Sequence, residues 1–286
     1  MDTQQLNAFL AVADLGSFSR AAQSLHITQP AVSKRIGLLE EQLQARLFDR
    51  IGRRITLTEA GRALLPHARE ISASLRTAIQ SVKDLEGETS GELRIATSHH
   101  IGLHRLPPVL ERMNQQAPKV KLVIDFMDSE QAYQATLCGA VEIAVVTLAP
   151  QEDERLITRE IWPDPLDVMV HKNHPLASQE SVTIPQLSNY AAVLPGLNTY
   201  TGQIVLQLFE GENQTLNTAM TTNYLETLRM LATAGLGWTV LPRSMLTDSL
   251  CSLSVAGISL ERSLGVIYHQ SRSLSRAAEA FLQTLN

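Results

Sequence analysis

Seven apolar residues, Leu64, Ala68, Ile71, Leu75, Ala78, Val82 and Leu85, recur at alternating intervals of four and three. That spacing is the a/d seam of a helix sustained through three heptads. A lone helix cannot cover such a seam. The simplest cover is the same helix of a second subunit, and the alternative is the chain's own body. Pro66, near the helix start, is tolerated only in an early turn or with a kink. The run Gly87-Glu88-Thr89-Ser90-Gly91 then supplies a break, which divides the chain into a head and a larger body.

Charge is divided along the same line. The 286 residues carry a net −5, which on its own gives no reason to expect nucleic acid. Residues 20–62, however, hold eight Lys and Arg against four acids, a net of +4, while residues 63–286 carry −7. A basic head on an acidic body points to nucleic-acid contact by the head.

Within the head, Leu6, Phe9, Leu10 and Ala13 line one face of a first helix, which Gly16 ends. Ser17 or Ser19 is placed to cap a short second helix containing Ala21, Ala22 and Leu25. After a turn at His26-Ile27, Thr28 is positioned to cap a third helix. Pro30 falls in its first turn, where the missing N–H costs nothing. Val32, Ile36, Leu39 and Leu43 form the buried stripe of that helix. Gln29, Pro30, Ser33 and Lys34 lie off the stripe at its start. A helix-turn-helix presents this turn to the major groove, where Gln can pair with adenine, Ser with either kind of base, and Lys with guanine or phosphate. Ile55 and Leu57 then alternate with polar residues as a short strand. Gly52 permits a turn, and Arg53 and Arg54 beside it read as a basic wing against phosphates or a minor groove.

The run SFSRAAQSLHITQPAVSKRIGLLEEQLQARLFDRIGRRITLTEAGRALL resembles the DNA-binding head of LysR-type transcriptional regulators. The resemblance implies an α/β, multi-domain protein. Its parts are an N-terminal all-α winged helix-turn-helix (1–58), a dimerising linker helix and hinge (59–90), and a two-lobed α/β effector-binding domain (91–286). The last resembles periplasmic solute-binding proteins, with lobe I at about 91–162 plus 267–286 and lobe II at about 163–266. It further implies double-stranded promoter DNA as partner, a homodimer that goes on to a tetramer, and contact with RNA polymerase.

In the body, Glu92–Thr97, Val120–Phe126 and Glu142–Thr147 read as strands. Leu103–Asn114 and Ser129–Cys138 read as the helices between them, an alternation that argues for a parallel sheet. A second set follows: strands at 166–171 and 191–194, helices near 202–209 and 224–233, a buried strand in 235–242, and a return through 263–269 into a closing helix at 274–285. Ligands of open α/β sheets bind beyond the carboxyl ends of strands. Those ends carry Ser98, His99 and His100, then Ser129, then Thr147. In the second lobe they carry Asn198, Thr199 and Asn223. Hydroxyls and amides leading into helix starts suit a small anion, a carboxylate or a sulfur-containing one. ATSHH…LPPV also resembles the corresponding loop of the family's sulfur-assimilation regulators, where a Thr replaces Ser98 and another replaces His100. Capping alone accounts equally well for Ser129 and Asn223. The adjacent histidines are read as lying at a strand end and pointing apart, with one lining the pocket and neither holding a metal. Such a histidine would make effector binding pH-sensitive.

No G-x-S-x-G, G-x-G-x-x-G, P-loop or H-E-x-x-H pattern occurs, so an enzyme is not expected, nor any cofactor. Cys138 and Cys251 are too few for a disulfide scaffold and are read as buried, inert thiols. With no apolar run of membrane length and no visible signal peptide, the expected location is cytoplasmic and no membrane partner is expected.

Overall fold

The computed structural model describes residues 1–51, 54–83 and 89–285. It divides into two compact units, Met1–Glu88 with Cys138–Ala140, and Thr89–Leu137 with Val141–Asn286.

The first unit begins with α1 (Thr3–Leu15), α2 (Phe18–Ser24) and α3 (Gln29–Leu43). Each helix start carries the cap its sequence supplies. Asp2 accepts from the Gln5 amide at 2.7 Å while Gln5 Oε1 accepts from the Asp2 amide at 2.8 Å, a capping box. Ser17 caps α2 and Thr28 caps α3. Gly16 ends α1 at φ +61°, a left-handed value that glycine adopts without strain. Leu6, Phe9, Val12, Val32, Ile36 and Leu39 pack into one core, whereas Leu43, read as part of the buried stripe, is exposed. A hairpin follows, β1 (Phe48–Ile51) antiparallel to β2 (Arg54–Leu57). Phe48 drives its ring between Phe9 and Phe18, at 5.4 and 6.0 Å, so the wing is anchored in the helical core.

Helix α4 (Glu59–Lys83) runs 25 residues with Pro66 inside it. Gly61 is required where α4 passes the wing: a Cβ there would lie 2.2 Å from the Leu47 carbonyl oxygen. Ala68 is buried in the head's core, but Ile71, Leu75, Ile79 and Val82 are 40–66% exposed. Four large apolar residues in the C-terminal part of α4 are therefore exposed. Leu85 lies outside the described residues.

The second unit contains β3 (Gly91–Thr97), α5 (His99–His104), α6 (Pro107–Gln116), β4 (Val120–Phe126), α7 (Ser129–Leu137), β5 (Ile143–Thr147), β6 (Leu156–His171), α8 (Ile184–Ser188) and β7 (Ala192–Leu194). Then come α9 (Tyr200–Gly211), β8 (Thr218–Thr221), α10 (Leu225–Thr233), β9 (Thr239–Pro242), β10 (Leu250–Leu253), β11 (Leu260–His269) and α11 (Arg276–Thr284). The expected parallel alternation is present, since β3 pairs in parallel with β4 and β5. The sheet is mixed, however, because β11 runs antiparallel to both β5 and β6.

Strand β6, expected only from residue 166, is 16 residues long. Its first half and β11 complete the sheet of one lobe, and its second half pairs with β9 and β10 in the other. Apolar residues cluster separately at the two ends of this continuous sheet, and the two largest clusters lie one at each end. One holds Ile95, Val145, Val266 and Phe281, and the other holds Val168, Leu194, Phe209 and Trp238. Phe209 stacks on Trp238 with ring centroids 5.7 Å apart. The helix expected at 103–114 is two helices, α5 and α6, separated at Arg105 and Leu106 with Pro107 opening the second. Among the described residues no helix is long and apolar enough to cross a membrane. Neither cysteine forms a disulfide among the described residues, and both are half-buried rather than buried.

Candidate functional site

At the start of α3, Gln29, Pro30 and Lys34 are exposed and Ser33 is half-buried. Gln29 Nε2 donates to Ser33 Oγ at 3.3 Å, so the two side chains share one patch. Three other basic residues of the head are committed to structure. Arg35 donates to Gln4 at 2.9 Å, Arg62 donates to the Leu57 carbonyl at 2.8 Å, and Arg69 pairs with Asp14 at 2.6 Å. Lys34 makes no ion pair among the described residues. Arg54 begins β2, and Arg53 lies outside the described residues.

The second candidate site is the cleft between the lobes of the body. A cavity of about 50 Å³ opens there, lined by Ser98, His100, Ser129, Thr147, Thr199 and Asn223, which are six of the eight expected residues. The other two are placed elsewhere. The His99 ring packs against Phe126 and Tyr224, at 5.0 and 4.8 Å, and Asn198 is exposed on its loop. The histidines are also not on a strand end. Ser98 caps α5, accepting from the Ile101 amide, and the helical turn separates His99 from His100. The opposite facing expected of a strand end does not apply, because successive side chains on a helix diverge by about 100°.

The expected hydroxyls and amides hold the cleft's walls. Ser129 Oγ accepts from the Thr147 amide at 3.0 Å, locking the end of β5 to the start of α7. Thr199 caps α9, accepting from the Gly202 amide at 3.1 Å and donating to the Gly196 carbonyl at 2.7 Å. Gly202 has no room for a side chain, since a Cβ would lie 2.2 Å from the Gly196 oxygen. Asn223 accepts from the Gly196 amide at 2.9 Å and donates to Asp128 at 2.7 Å, a bond from one lobe to the other. Glu130 also crosses the cleft, accepting from the Tyr200 amide at 2.6 Å at the start of α9. Burial first, then Tyr133 and Glu130 beside it, push the Tyr200 hydroxyl up to about 12.

Nothing in the sequence pointed to the arginine that lines the cleft. Arg262 of β11 is buried and faces Asp164 of β6 in strand register. Asp164, 1% exposed, accepts from Arg262 Nε at 2.8 Å and from Arg105 at 3.1 Å. Arg262 Nη1 donates to Thr201 at 2.9 Å, while Nη2 makes no hydrogen bond among the described residues. Burial pushes the guanidinium below its usual range, and Asp164 opposes that shift. His100, next to it, is 4% exposed with neither ring nitrogen hydrogen-bonded. Burial first and then the Arg262 charge bring His100 down to about 4, against the pull of Asp164 and Glu226.

Three helix starts converge on this cavity, since Ser129, Tyr200 and Leu225 open α7, α9 and α10 and all line it. Their N-terminal partial charges and Arg262 favour an anion. Asp128 and Glu130 also line the cavity, but each is already bonded across the cleft.

A head that presents a helix-turn-helix with a wing, and a two-lobed body with a polar cleft, define a ligand-responsive DNA-binding protein. Comparison with known proteins supplies the family. Residues 3–62 match the bacterial regulatory helix-turn-helix protein, lysR family, and residues 86–286 match the LysR substrate binding domain. The chain belongs to the LysR family of transcriptional regulators. It is 30% identical to the RuBisCO operon transcriptional regulator of Allochromatium vinosum, over 97% of this chain and 93% of that one. Among solved structures it is similar in fold to full-length CbnR complexed with its target DNA, at 21% identity and TM-score 0.68, covering 100% of this chain and 99% of that one. The effector binding domain of QuiR in complex with shikimate is also similar, at 15% identity and TM-score 0.62, covering 68% of this chain and 95% of that one.

Proposed function

We propose that this regulator reads promoter DNA with Gln29, Pro30, Ser33, Lys34, Arg53 and Arg54, and is controlled by a small anion held between the lobes of its body. The observation that carries the effector reading is Arg262. Its guanidinium is buried where the two lobes meet, with Nη2 making no hydrogen bond among the described residues, beside a cavity onto which three helix starts converge. Ser98, His100, Ser129, Thr147, Thr199 and Asn223 supply the neutral hydrogen-bonding groups of that site. A water needs about 10–15 Å³ of such space, so a cavity near 50 Å³ suits an ion of sulfate or small-carboxylate size. That QuiR is solved with shikimate, a carboxylate, agrees with this class.

The exposed apolar residues of α4 support a homodimer, in which Ile71, Leu75, Ile79 and Val82 of two copies cover one another. Two heads then read a two-part, roughly palindromic site, and pairs of dimers extend to a tetramer. Interlobe bonds such as Asn223–Asp128 and Glu130–Tyr200 provide the switch, because an anion that competes for them binds one lobe arrangement better than another. The change in head spacing acts on transcription by RNA polymerase, in the cytoplasm where promoter DNA lies. The test is titration of the full-length protein with sulfate, phosphate and small carboxylates by calorimetry. Saturable binding of one of them that is lost in Arg262→Met supports the reading. Equal binding by parent and variant refutes it.

A further inference from the structure

The cluster beside the cavity has a second chemistry. His100 and His104 lie one helical turn apart on α5, with ring centroids 4.7 Å apart. Glu226, in the first turn of α10, reaches them from the other lobe. Its Oε1 lies 2.8 Å from His104 Nε2 and 3.7 Å from His100 Nδ1. One ligand atom from each residue falls within 4.8 Å of the others. Four ligands at about 2.0–2.1 Å around a tetrahedral ion stand roughly 3.3 Å apart, so small side-chain rotations suffice to bring these three to that spacing. His100 is the telling member. It is almost fully buried, aims at Glu226 and leaves both ring nitrogens without a hydrogen bond, an omission that a native protein seldom makes without a ligand to fill it. His104 is 44% exposed, which leaves an entry path for an ion.

We propose that His100, His104 and Glu226 form a binding site for one divalent transition-metal ion of the zinc class, bridging the two lobes. Two imidazoles and one carboxylate suit Zn²⁺ and its neighbours, whereas Mg²⁺ and Ca²⁺ prefer all-oxygen sets. The ion displaces the proton shared by His104 and Glu226 and joins α5 to α10. Its remaining position takes water or an anion from the adjoining cavity. This reading does not depend on which small molecule occupies the cleft.

The test is equilibrium dialysis of the full-length, chelator-stripped protein against Zn²⁺, repeated with Co²⁺ for its visible absorption. The parent is expected to take up one tightly held ion per chain and to give the intense bands of tetrahedral Co²⁺. His104→Ala, at an exposed position that tolerates truncation, and Glu226→Gln are each expected to weaken that ion at least about tenfold and to abolish the bands. Zn²⁺ should also raise the urea midpoint of the parent and not that of His104→Ala. Absence of a tight ion in the parent overturns the proposal. Affinity and stoichiometry unchanged in both variants overturn it equally.

Discussion

Neutralising Asp164 should move stability and anion binding in opposite directions. Asp164→Asn keeps the shape of the side chain but removes the carboxylate between Arg262 and Arg105. Asp164 is 1% exposed and Arg262 is buried, so the variant leaves a buried guanidinium without its counter-charge. Breaking a buried pair in this way costs about 3–5 kcal/mol. Arg105 is 30% exposed and recovers much of its loss from water. The same change removes a negative charge near the cavity. At an effective dielectric near 20, a unit charge about 8 Å away is worth roughly 2 kcal/mol, so anion affinity should rise by about thirtyfold. Arg262→Met should destabilise to a similar extent and abolish anion binding. Both tryptophans, Trp162 and Trp238, lie in the body, so their fluorescence in urea reports its unfolding directly. Calorimetry in native buffer reports binding. If Asp164→Asn binds the anion more weakly than the parent, or Arg262→Met binds it equally well, Arg262 is not the anion's counter-charge.

Three further outcomes are expected. Leu75→Glu places a charge among the exposed apolar residues of α4 and should give monomers in sedimentation; a persistent dimer would place the interface elsewhere. His100 has a folded value near 4 and an ordinary value of 6.5 when unfolded. Between those values the unfolded chain binds more protons, so stability is lost as pH falls from 6.5 toward 4, by at most about 3 kcal/mol. His100 is faced by Arg262, Asp164, His104 and Glu226, and with chelator present His100→Leu should flatten that part of the urea-midpoint profile, whereas an unchanged slope would assign it to other groups. In the head, Ser33→Ala or Gln29→Ala should relax sequence preference, while Arg53→Ala with Arg54→Ala should weaken all DNA binding and lower its salt slope by up to about two; selection of binding sites from a random library and a salt titration separate the two effects.

The head was legible because its signals are local. Caps, the early proline and helical periodicity each act within a few residues, and Ser17 and Thr28 cap as their positions dictate. Strand β1 was not anticipated, since Phe-Asp-Arg-Ile lacks alternation and is held by its pairing to β2 and by Phe48 in the helical core. The first half of β6 was hidden by Pro163, Asp164 and Pro165, which break the apolar pattern where the strand passes from one lobe to the other. Hydroxyls and amides at strand ends were found because that position is general to α/β sheets. Arg262 was not, because it lies within a strand, and its partner Asp164 is 98 residues away. His104 and Glu226 were passed over for the same reason: 122 residues separate them, and only the closing of the two lobes brings them together.

An anion in the cleft should change how the head engages DNA. The most direct measurement is the affinity of the full-length protein for the DNA upstream of its own gene, by gel shift or fluorescence anisotropy, with and without the anion found by titration. Specific binding is expected, with a footprint or affinity that shifts on adding the anion in the parent and not in Arg262→Met. DNA binding indifferent to every anion that the body binds would mean that the cleft does not control the head.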